Sequence, residues 1–424
     1  MRPYSFLAHV SAARPALSRL LAVLLIALVS GGESAYTAVA GAGAPDEPGK
    51  PAIASHLSDP LTREGFDHFY NMEYDQAIAD FEKVVAAHPD DPYAVNHLLT
   101  GVLFRELYHI GALDTELYAK DSFLTSKQFP INSITRSHIQ DLMTRATQLS
   151  EDRLKKNPND LEALYSRGVT RGMRSTYIGL VDKAWFAALR SAVGARRDHE
   201  RVLELDPNYQ DAKMIVGIHN YVLGSLPWTV KVAASLVGLS GSRQKGIEYL
   251  YEAGRAGGET SIDARIALSL FLRREQRYPE AITLVGGLAN EHPRNFLFRL
   301  EYAHLLNAAG HGQEAVAAYR KVLEDAKAGH FAESRLEMAE YGLGEALRGQ
   351  RDFSGAAEAY DTVQTFPKVD PDMRQRASLG AGEMYDKLGQ RDLAVQRYQA
   401  ALNDGPDSPR GEQAKKYLKQ PFHD

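Results

Sequence analysis

The C-terminal half of the chain repeats one short pattern: a small residue, a large side chain four positions later, and another apolar residue three positions after that. Its copies begin at Ala281, Ala315, Ala356 and Ala394, so successive copies are 34, 41 and 38 residues apart. A period of this size is typical of a helical solenoid, because each unit is too small to bury its own apolar face and must stack on neighbours. The pattern therefore predicts an all-α repeat fold.

A second small residue lies 12 positions before each copy, and the same spacing occurs near the start of the chain. Small residues facing each other on two helices let the backbones approach closely, and a bulky residue there would overpack the contact by about 1–3 kcal/mol. The pairs are Gly65 with Ala77, Ser269 with Ala281, Ala303 with Ala315, Gly344 with Ala356, and Gly382 with Ala394. The sequence thus predicts two helices per repeat, A and B.

The first unit carries Gly65, Tyr74, Ala77, Phe81 and Pro89, and in this it resembles the tetratricopeptide repeat (TPR) family. The resemblance extends over residues 58–420. It implies a right-handed α-solenoid of about eight antiparallel helix pairs that binds a protein or peptide partner and is not an enzyme. Proline cannot continue a helix, so Pro89 and its equivalents Pro207, Pro293 and Pro406 are expected to end B helices.

The N-terminus has the parts of a secretory signal peptide. Three arginines precede the apolar run 20–29, and small residues follow up to Ala40. We predict that residues 1–40 form the signal peptide and exit region and residues 41–57 a flexible linker, with cleavage after Ala35 or after Ala40. An uncleaved anchor is the alternative. The protein is expected to be exported, periplasmic or extracellular, and, because it has no cysteine, not a lipoprotein.

Charge and motifs exclude several classes of function. The formal net charge is −5 and becomes about −7 without residues 1–40, whereas nucleic-acid binding needs a concentrated basic surface. Gly342, Gly344 and Gly349 fall at helix and turn positions of a repeat instead of following a strand, so they do not predict a phosphate loop. We find no catalytic motif, no metal-ligand spacing and no cofactor motif, and we expect none of these sites.

The distance between the small positions of successive B helices is irregular only in the N-terminal repeats, over residues 58–258, whereas it is regular in the repeats of 259–407. Three insertions, about 113–136, 172–190 and 222–243, fall between the A and B helices. All A-to-B turns of a stacked solenoid emerge along one edge, so we call this edge the crest. The third insertion is almost uncharged. We favour a structural mini-core for it, with a partner-binding surface and membrane contact as alternatives.

Candidate partner-binding residues come from two places. On A helices, the groove-facing positions are Tyr165, Arg273, His304, Asn307, Tyr341, Glu345, Arg348, Glu383 and Asp386. In the crest they are the two tryptophans, Trp185 and Trp228. This mixture of aromatic, basic and acidic groups suits an extended peptide or protein segment, although a solvated helix face would carry the same residue types.

The function that these features favour is a non-enzymatic protein–protein interaction scaffold of the cell envelope. One alternative is an enzyme with a site where the crest meets the repeats, which converging polar groups beside Trp185 and Trp228 would support. Another is an outer-membrane assembly subunit, against which the missing lipid-attachment cysteine counts.

Residues 408–420 are expected to form a capping helix, with Ser408 as N-cap, Pro409 at the first position and Tyr417 and Leu418 on the apolar side. Replacing Tyr417 and Leu418 together by Asp should expose the last repeat, lower the melting temperature and cause self-association. Calorimetry and light scattering measure both effects. A monomeric double variant with an unchanged melting temperature would contradict the capping role.

Overall fold

The computed structural model describes residues 58–113, 131–226, 228–236 and 239–423. This part of the chain contains α-helices and no strand, which confirms the predicted all-α fold. The predicted signal peptide, the linker and most of the first insertion lie outside the described residues. Contacts between residues divide the chain into unit 1, Met1–Phe271, and unit 2, Leu272–Asp424.

Eighteen helices are described, and the A and B helices alternate along them except at α8, which is inserted. In unit 1 they are α1 (Pro60–Tyr70), α2 (Tyr74–Ala87), α3 (Pro92–His109), α4 (Ser133–Lys156), α5 (Leu161–Leu180), α6 (Trp185–Leu205), α7 (Gln210–Gly224), α8 (Trp228–Leu236), α9 (Arg243–Arg255) and most of α10 (Ser261–Arg274). In unit 2 they are α11 (Tyr278–Glu291), α12 (Phe296–Ala308), α13 (Gly312–Lys327), α14 (Leu336–Gly349), α15 (Phe353–Val363), α16 (Pro371–Lys387), α17 (Arg391–Asp404) and α18 (Pro409–Lys419).

Within each unit, A and B helices pack as pairs, and the B helices α2, α4, α6, α11, α13 and α15 each pack on the A helix that follows. Unit 1 contains the pairs α1/α2, α3/α4, α5/α6 and α7/α9, and unit 2 contains α12/α13, α14/α15 and α16/α17, followed by α18 on α17. Each unit is therefore built as a TPR-like solenoid.

Local sequence sets where the helices begin and end. Asp59 and Asp91 accept backbone N–H bonds in the first turns of α1 and α3, with a proline at the first helical position of each. Helices α2, α6, α11 and α17 each end two residues before a proline. The prolines expected to end B helices thus stand just beyond them.

The predicted small positions are sites of close contact with aromatic rings. A Cβ atom added to Gly344 would lie 2.6 Å from a ring carbon of Tyr360, and one added to Gly65 would lie 2.6 Å from the ring of Phe81. The Tyr360 ring also lies 3.0 Å from the Cβ position of Gly380 on the next A helix. One aromatic side chain therefore fills the space between two consecutive A helices.

The turns from A to B share an unusual backbone conformation. Met72, Gln276 and Arg351 have φ angles of 63°, 59° and 63°, and glycines hold the corresponding positions in two other repeats, with φ of 84° at Gly310 and 72° at Gly389. Non-glycine residues rarely adopt this left-handed region. Lys183, after α5, also has a positive φ of 55°, and Gly111, after α3, has a φ of 75°. The turn after the A helix thus imposes backbone strain on a non-glycine residue in four repeats and is accommodated by glycine in three.

The second and third insertions are helical. The second lengthens α5 and α6 to 20 and 21 residues, joined by a short turn, because no proline interrupts the segment from Leu161 to Leu205. The third forms the extra helix α8. No helix in this part of the protein is long and apolar enough to cross a membrane.

Helix α18 covers the last repeat. Tyr417 and Leu418 pack against the buried cluster around Tyr398. The Arg391 guanidinium donates to the carbonyl oxygens of Tyr417 and Leu418, at 2.6 and 3.0 Å, and so satisfies acceptors at the end of the helix.

The variant Gly344→Ala should destabilise unit 2 by about 1–3 kcal/mol, because its methyl group would overlap the buried Tyr360 ring. Gly349→Ala, in the same helix, is the matched control, since nothing lies within 4 Å of the added Cβ atom. We expect the control to be neutral or slightly stabilising. Urea unfolding of both variants provides the measurement, and equal stabilities would show that the ring contact does not constrain the repeat.

Candidate functional site

Five of the predicted groove residues form one connected surface in unit 2. Tyr341, Glu345 and Arg348 stand on one side of α14 at spacings of four and three residues, and Glu383 and Asp386 stand on α16. The Arg348 guanidinium lies 2.6 Å from the Glu383 carboxylate and joins the two helices. We call this surface the A-helix face.

The tyrosines of this face hold its carboxylates in place. The Tyr360 hydroxyl donates to Glu345 at 2.5 Å, and the Arg376 guanidinium lies 4.9 Å from the centre of the Tyr341 ring. Burial, reinforced by the Glu345 carboxylate, raises the pKa of both tyrosines above the usual range. Their hydroxyls are therefore neutral hydrogen-bonding groups.

Asp386 accepts more hydrogen bonds than a surface carboxylate normally does. Arg391 donates to both of its oxygens at 3.0 Å, and the Tyr398 hydroxyl donates at 2.8 Å. The backbone N–H of Phe422 completes the set at 2.6 Å. Only 1% of the Asp386 side chain is exposed, so these partners enclose it.

Phe422 belongs to a segment, residues 420–423, that leaves α18 in extended conformation at Gln420 and lies on the A-helix face; we call it the tail segment. The Arg348 guanidinium lies 5.8 Å and the Lys387 ammonium 5.6 Å from the centre of the Phe422 ring. The Tyr417 ring meets it edge-on at 5.3 Å. The face therefore already holds an extended peptide, through one backbone N–H and one aromatic ring between two cations.

Sequence reasoning missed the tail segment. It assigned residues up to 420 to the capping helix and gave the following ones no role. The sequence did contain a signal for it, because Pro421 biases the residue before it towards extended or turn conformation. The helix therefore ends there, and the aromatic residue Phe422 follows outside it.

The remaining groove residues of unit 2 form a second group. Arg273 pairs with Glu301 at 3.0 Å, and His304 lies 3.5 Å from the same carboxylate and 5.7 Å from the Tyr319 ring centre. Asn307 is half-buried one helical turn further along α12. This group is charged and partly accessible.

Tyr165 in unit 1 departs from the prediction. It was expected to face a partner, but only 2% of it is exposed, and its ring stacks on Tyr93 with centres 5.7 Å apart. The Tyr70 hydroxyl also donates to Asp263 at 2.9 Å, joining the first described helix of unit 1 to α10. The A-helix positions here are thus internal, and Tyr165 is a core residue.

These internal positions surround a small cavity. Tyr93, Asn96, His97, Tyr165 and Glu259 are among its lining residues. His97 Nε2 lies 3.8 Å from Glu259 Oε1, and this oxygen and His97 Nδ1 have no hydrogen-bond partner in the described chain. Buried polar atoms of this kind are commonly satisfied by water, and the cavity is suited to that role.

Two carboxyl groups close to this cavity have raised pKa values. Burial, with a smaller effect of the Glu259 carboxylate, raises the pKa of Asp211 to about 6. Burial also raises the pKa of Asp263 well above its usual range, against the opposing hydrogen bond from Tyr70. The charged form of either carboxyl group is therefore costly to bury in the interior of unit 1.

Some large apolar side chains of the crest are exposed, whereas others, such as Leu180, Leu223 and Leu226, are buried. Phe186 is 84% exposed, Trp228 76% and Val232 53%. A mini-core for the third insertion is therefore the wrong interpretation for Trp228 and Val232, because their side chains are largely exposed. The backbone of Trp185 begins α6, and its side chain lies outside the described part.

Two further places in the described chain hold residue types that occur in catalytic and metal sites, although the sequence predicted neither kind of site. At the turn between α5 and α6, burial lowers the pKa of the Lys183 ammonium to about 8. On α1 and α2, ligand-type atoms of Glu64, His68 and Asp80 lie within 4.8 Å of one another. Lys83 and His68 bond to Asp80 at 2.7 and 2.9 Å, so the second group acts as an ion network between the two helices.

No protein-family model matches the sequence, and no curated protein matches it. Solved structures resemble it at low identity. In the APC/C hetero-tetramer Cut9-Hcn1, the match has 13% identity, covers 88% of this chain and 57% of that chain, and has a TM-score of 0.47. The match to PilF of Pseudomonas aeruginosa has 14% identity, covers 61% of this chain and 99% of that chain, and has a TM-score of 0.38. The match to YrrB, a TPR protein with an unusual peptide-binding site, has 15% identity, covers 63% of this chain and 97% of that chain, and has a TM-score of 0.31. These likenesses concern the fold alone.

Asp211→Asn should stabilise the protein at pH 7.5 by up to about 3 kcal/mol, because the folded-state pKa of about 6 exceeds the unfolded value of 3.8. A raised pKa means that the folded protein binds the proton more tightly, so the wild type gains stability as the pH falls through 6 towards 4. The advantage of the variant should shrink over that range. Asn keeps an oxygen for the two bonds from Thr260.

Urea unfolding at pH 7.5 and 4.5 tests this difference, with Asp90→Asn at an exposed site as the control. A stability difference between wild type and Asp211→Asn that does not depend on pH would contradict the assignment.

Proposed function

We propose that this protein is a non-enzymatic protein–protein interaction scaffold, and that the A-helix face of unit 2 binds an extended peptide segment of its partner. One observation carries the proposal: the face holds residues 420–423 of its own chain through the backbone N–H and the ring of Phe422. A helical-repeat surface that accommodates one extended segment can accommodate another of matching chemistry.

The contacts of the tail segment define the ligand chemistry. Asp386 accepts a backbone N–H, which any peptide except one with proline at that position can donate. Arg348 and Lys387 take an aromatic side chain between them. The expected ligand is thus an extended peptide with an aromatic residue, and the tail segment acts as an internal competitor for it.

We further propose that the protein acts in the cell envelope, periplasmic or extracellular, after export. The support is the basic flank, apolar run and small-residue exit of residues 1–40. Residues 41–57, rich in Gly, Ala and Pro, would then serve as a spacer.

Binding of a peptide with the sequence of residues 417–424 to the full-length Phe422→Ala variant tests the proposed face. The substitution removes the ring from the face while keeping the rest of the chain. Fluorescence polarisation of the labelled peptide should show saturable binding to this variant. Binding to the wild type should be about tenfold weaker or more, because its own tail competes at high effective concentration.

Two controls make the measurement specific. A peptide with Ala in place of Phe should bind neither protein. Adding Lys387→Ala to the Phe422→Ala variant should weaken binding, whereas Lys327→Ala, the matched exposed lysine at the end of α13, should not. Absence of peptide binding to the folded Phe422→Ala variant would refute the proposed function.

A further inference from the structure

The most exposed large apolar side chains of the described chain all belong to the crest. Ile134 is 82% exposed, and Phe186, Trp228 and Val232 are 84%, 76% and 53% exposed. The remaining exposed large apolar residues of the described chain, Leu388, Leu393 and Val395, reach only 37%, 37% and 36% and lie in unit 2.

Topology places these crest residues at one edge of unit 1. Ile134 and Phe186 lie at the N-terminal ends of the B helices α4 and α6, and α8 follows the C-terminal end of the A helix α7. In antiparallel pairs these ends share an edge. A bond of 2.7 Å from Arg136 to Asp182 links the first insertion to the second there.

The second and third insertions are basic although the whole chain is acidic. They contain five basic residues and one acidic residue, against a net charge of −5 for the protein, whereas the first insertion contains three of each. The basic residues are Arg174, Lys183, Arg190, Lys231 and Arg243, and the acidic residue is Asp182. Asp182 is bound to Arg136, and the side chains of Arg190 and Lys231 are exposed, so the second and third insertions present positive charge at the surface.

Helix α8 carries exposed apolar side chains and a positive charge within one helical turn. Trp228 and Val232 are four residues apart and share a side of the helix, and the exposed Lys231 lies beside them. Both apolar side chains are largely exposed, so this side of the helix is presented outward. Tryptophan is enriched at membrane interfaces, and a neighbouring Lys can extend its cationic side chain to the headgroups.

We infer that the crest binds the surface of an anionic phospholipid bilayer, with Phe186, Trp228 and Val232 inserted among the headgroups and the exposed Arg190 and Lys231 paired with anionic lipid. The side chains protrude, and a bilayer closes around protruding groups, whereas a protein partner would need a matched pocket for each. The positive charge of the second and third insertions fits an anionic surface. Contact is peripheral and does not require a spanning helix. This site is separate from the A-helix face.

Vesicle co-sedimentation of the full chain tests the inference. Vesicles of equal parts phosphatidylcholine and phosphatidylserine should bind the wild type, and binding should weaken as salt is raised. The triple variant Phe186→Ser, Trp228→Ser, Val232→Ser should lose about tenfold or more in partitioning. A control triple variant, Leu388→Ser, Leu393→Ser, Val395→Ser, should bind like the wild type.

Tryptophan fluorescence reports on the crest itself and separates it from any other lipid-binding part. The chain has two tryptophans, so the folded variant Trp185→Phe leaves Trp228 as the sole reporter. Its emission should shift to shorter wavelength with the anionic vesicles and be quenched by brominated lipid. Unchanged Trp228 emission, or equal vesicle binding by wild type and the crest triple variant, would overturn the inference.

Discussion

The close contact between a glycine on one helix and an aromatic ring on the next is the constraint on which the repeats depend. Tyr360 shows why: its ring touches Gly344 in its own repeat and Gly380 in the following one. The same contact therefore closes a helix pair and sets the distance to the next pair. Because the ring is buried, a side chain at Gly344 would force the ring or its helix to shift, and one at Gly380 would require a smaller adjustment.

This contact also connects the fold to the candidate site. The ring of Tyr360 lies in the stack, and its hydroxyl donates to Glu345 on the A-helix face. Tyr398 acts in the same way: its ring lies against Gly382, and its hydroxyl donates to Asp386, which holds the tail segment. The residues that order the repeats thus also orient the carboxylates of the face.

The sequence was sufficient for the architecture because the repeat pattern is local. Spacings of 12 residues between small positions and a proline after each of several B helices set helix pairs without knowledge of distant contacts. The sequence was insufficient where contacts between residues distant in the chain determine which side chains are buried. Tyr165 has the periodicity of a groove residue, but Tyr93, more than 70 positions away, covers it. In the same way, composition alone could not show that the Trp228 side chain is exposed, or that Phe422 returns to Asp386.

The hydrogen bond from Tyr70 to Asp263 joins residues that are 193 positions apart within unit 1. In most repeat arrays each repeat contacts only its neighbours, so the array can unfold progressively from an end. A contact between the first repeat and α10 couples those two regions directly and raises the average sequence separation of native contacts. Unit 1 is therefore expected to resist fraying at its first repeat, to fold more slowly than a simple array of its length, and to lose its structure as one cooperative block.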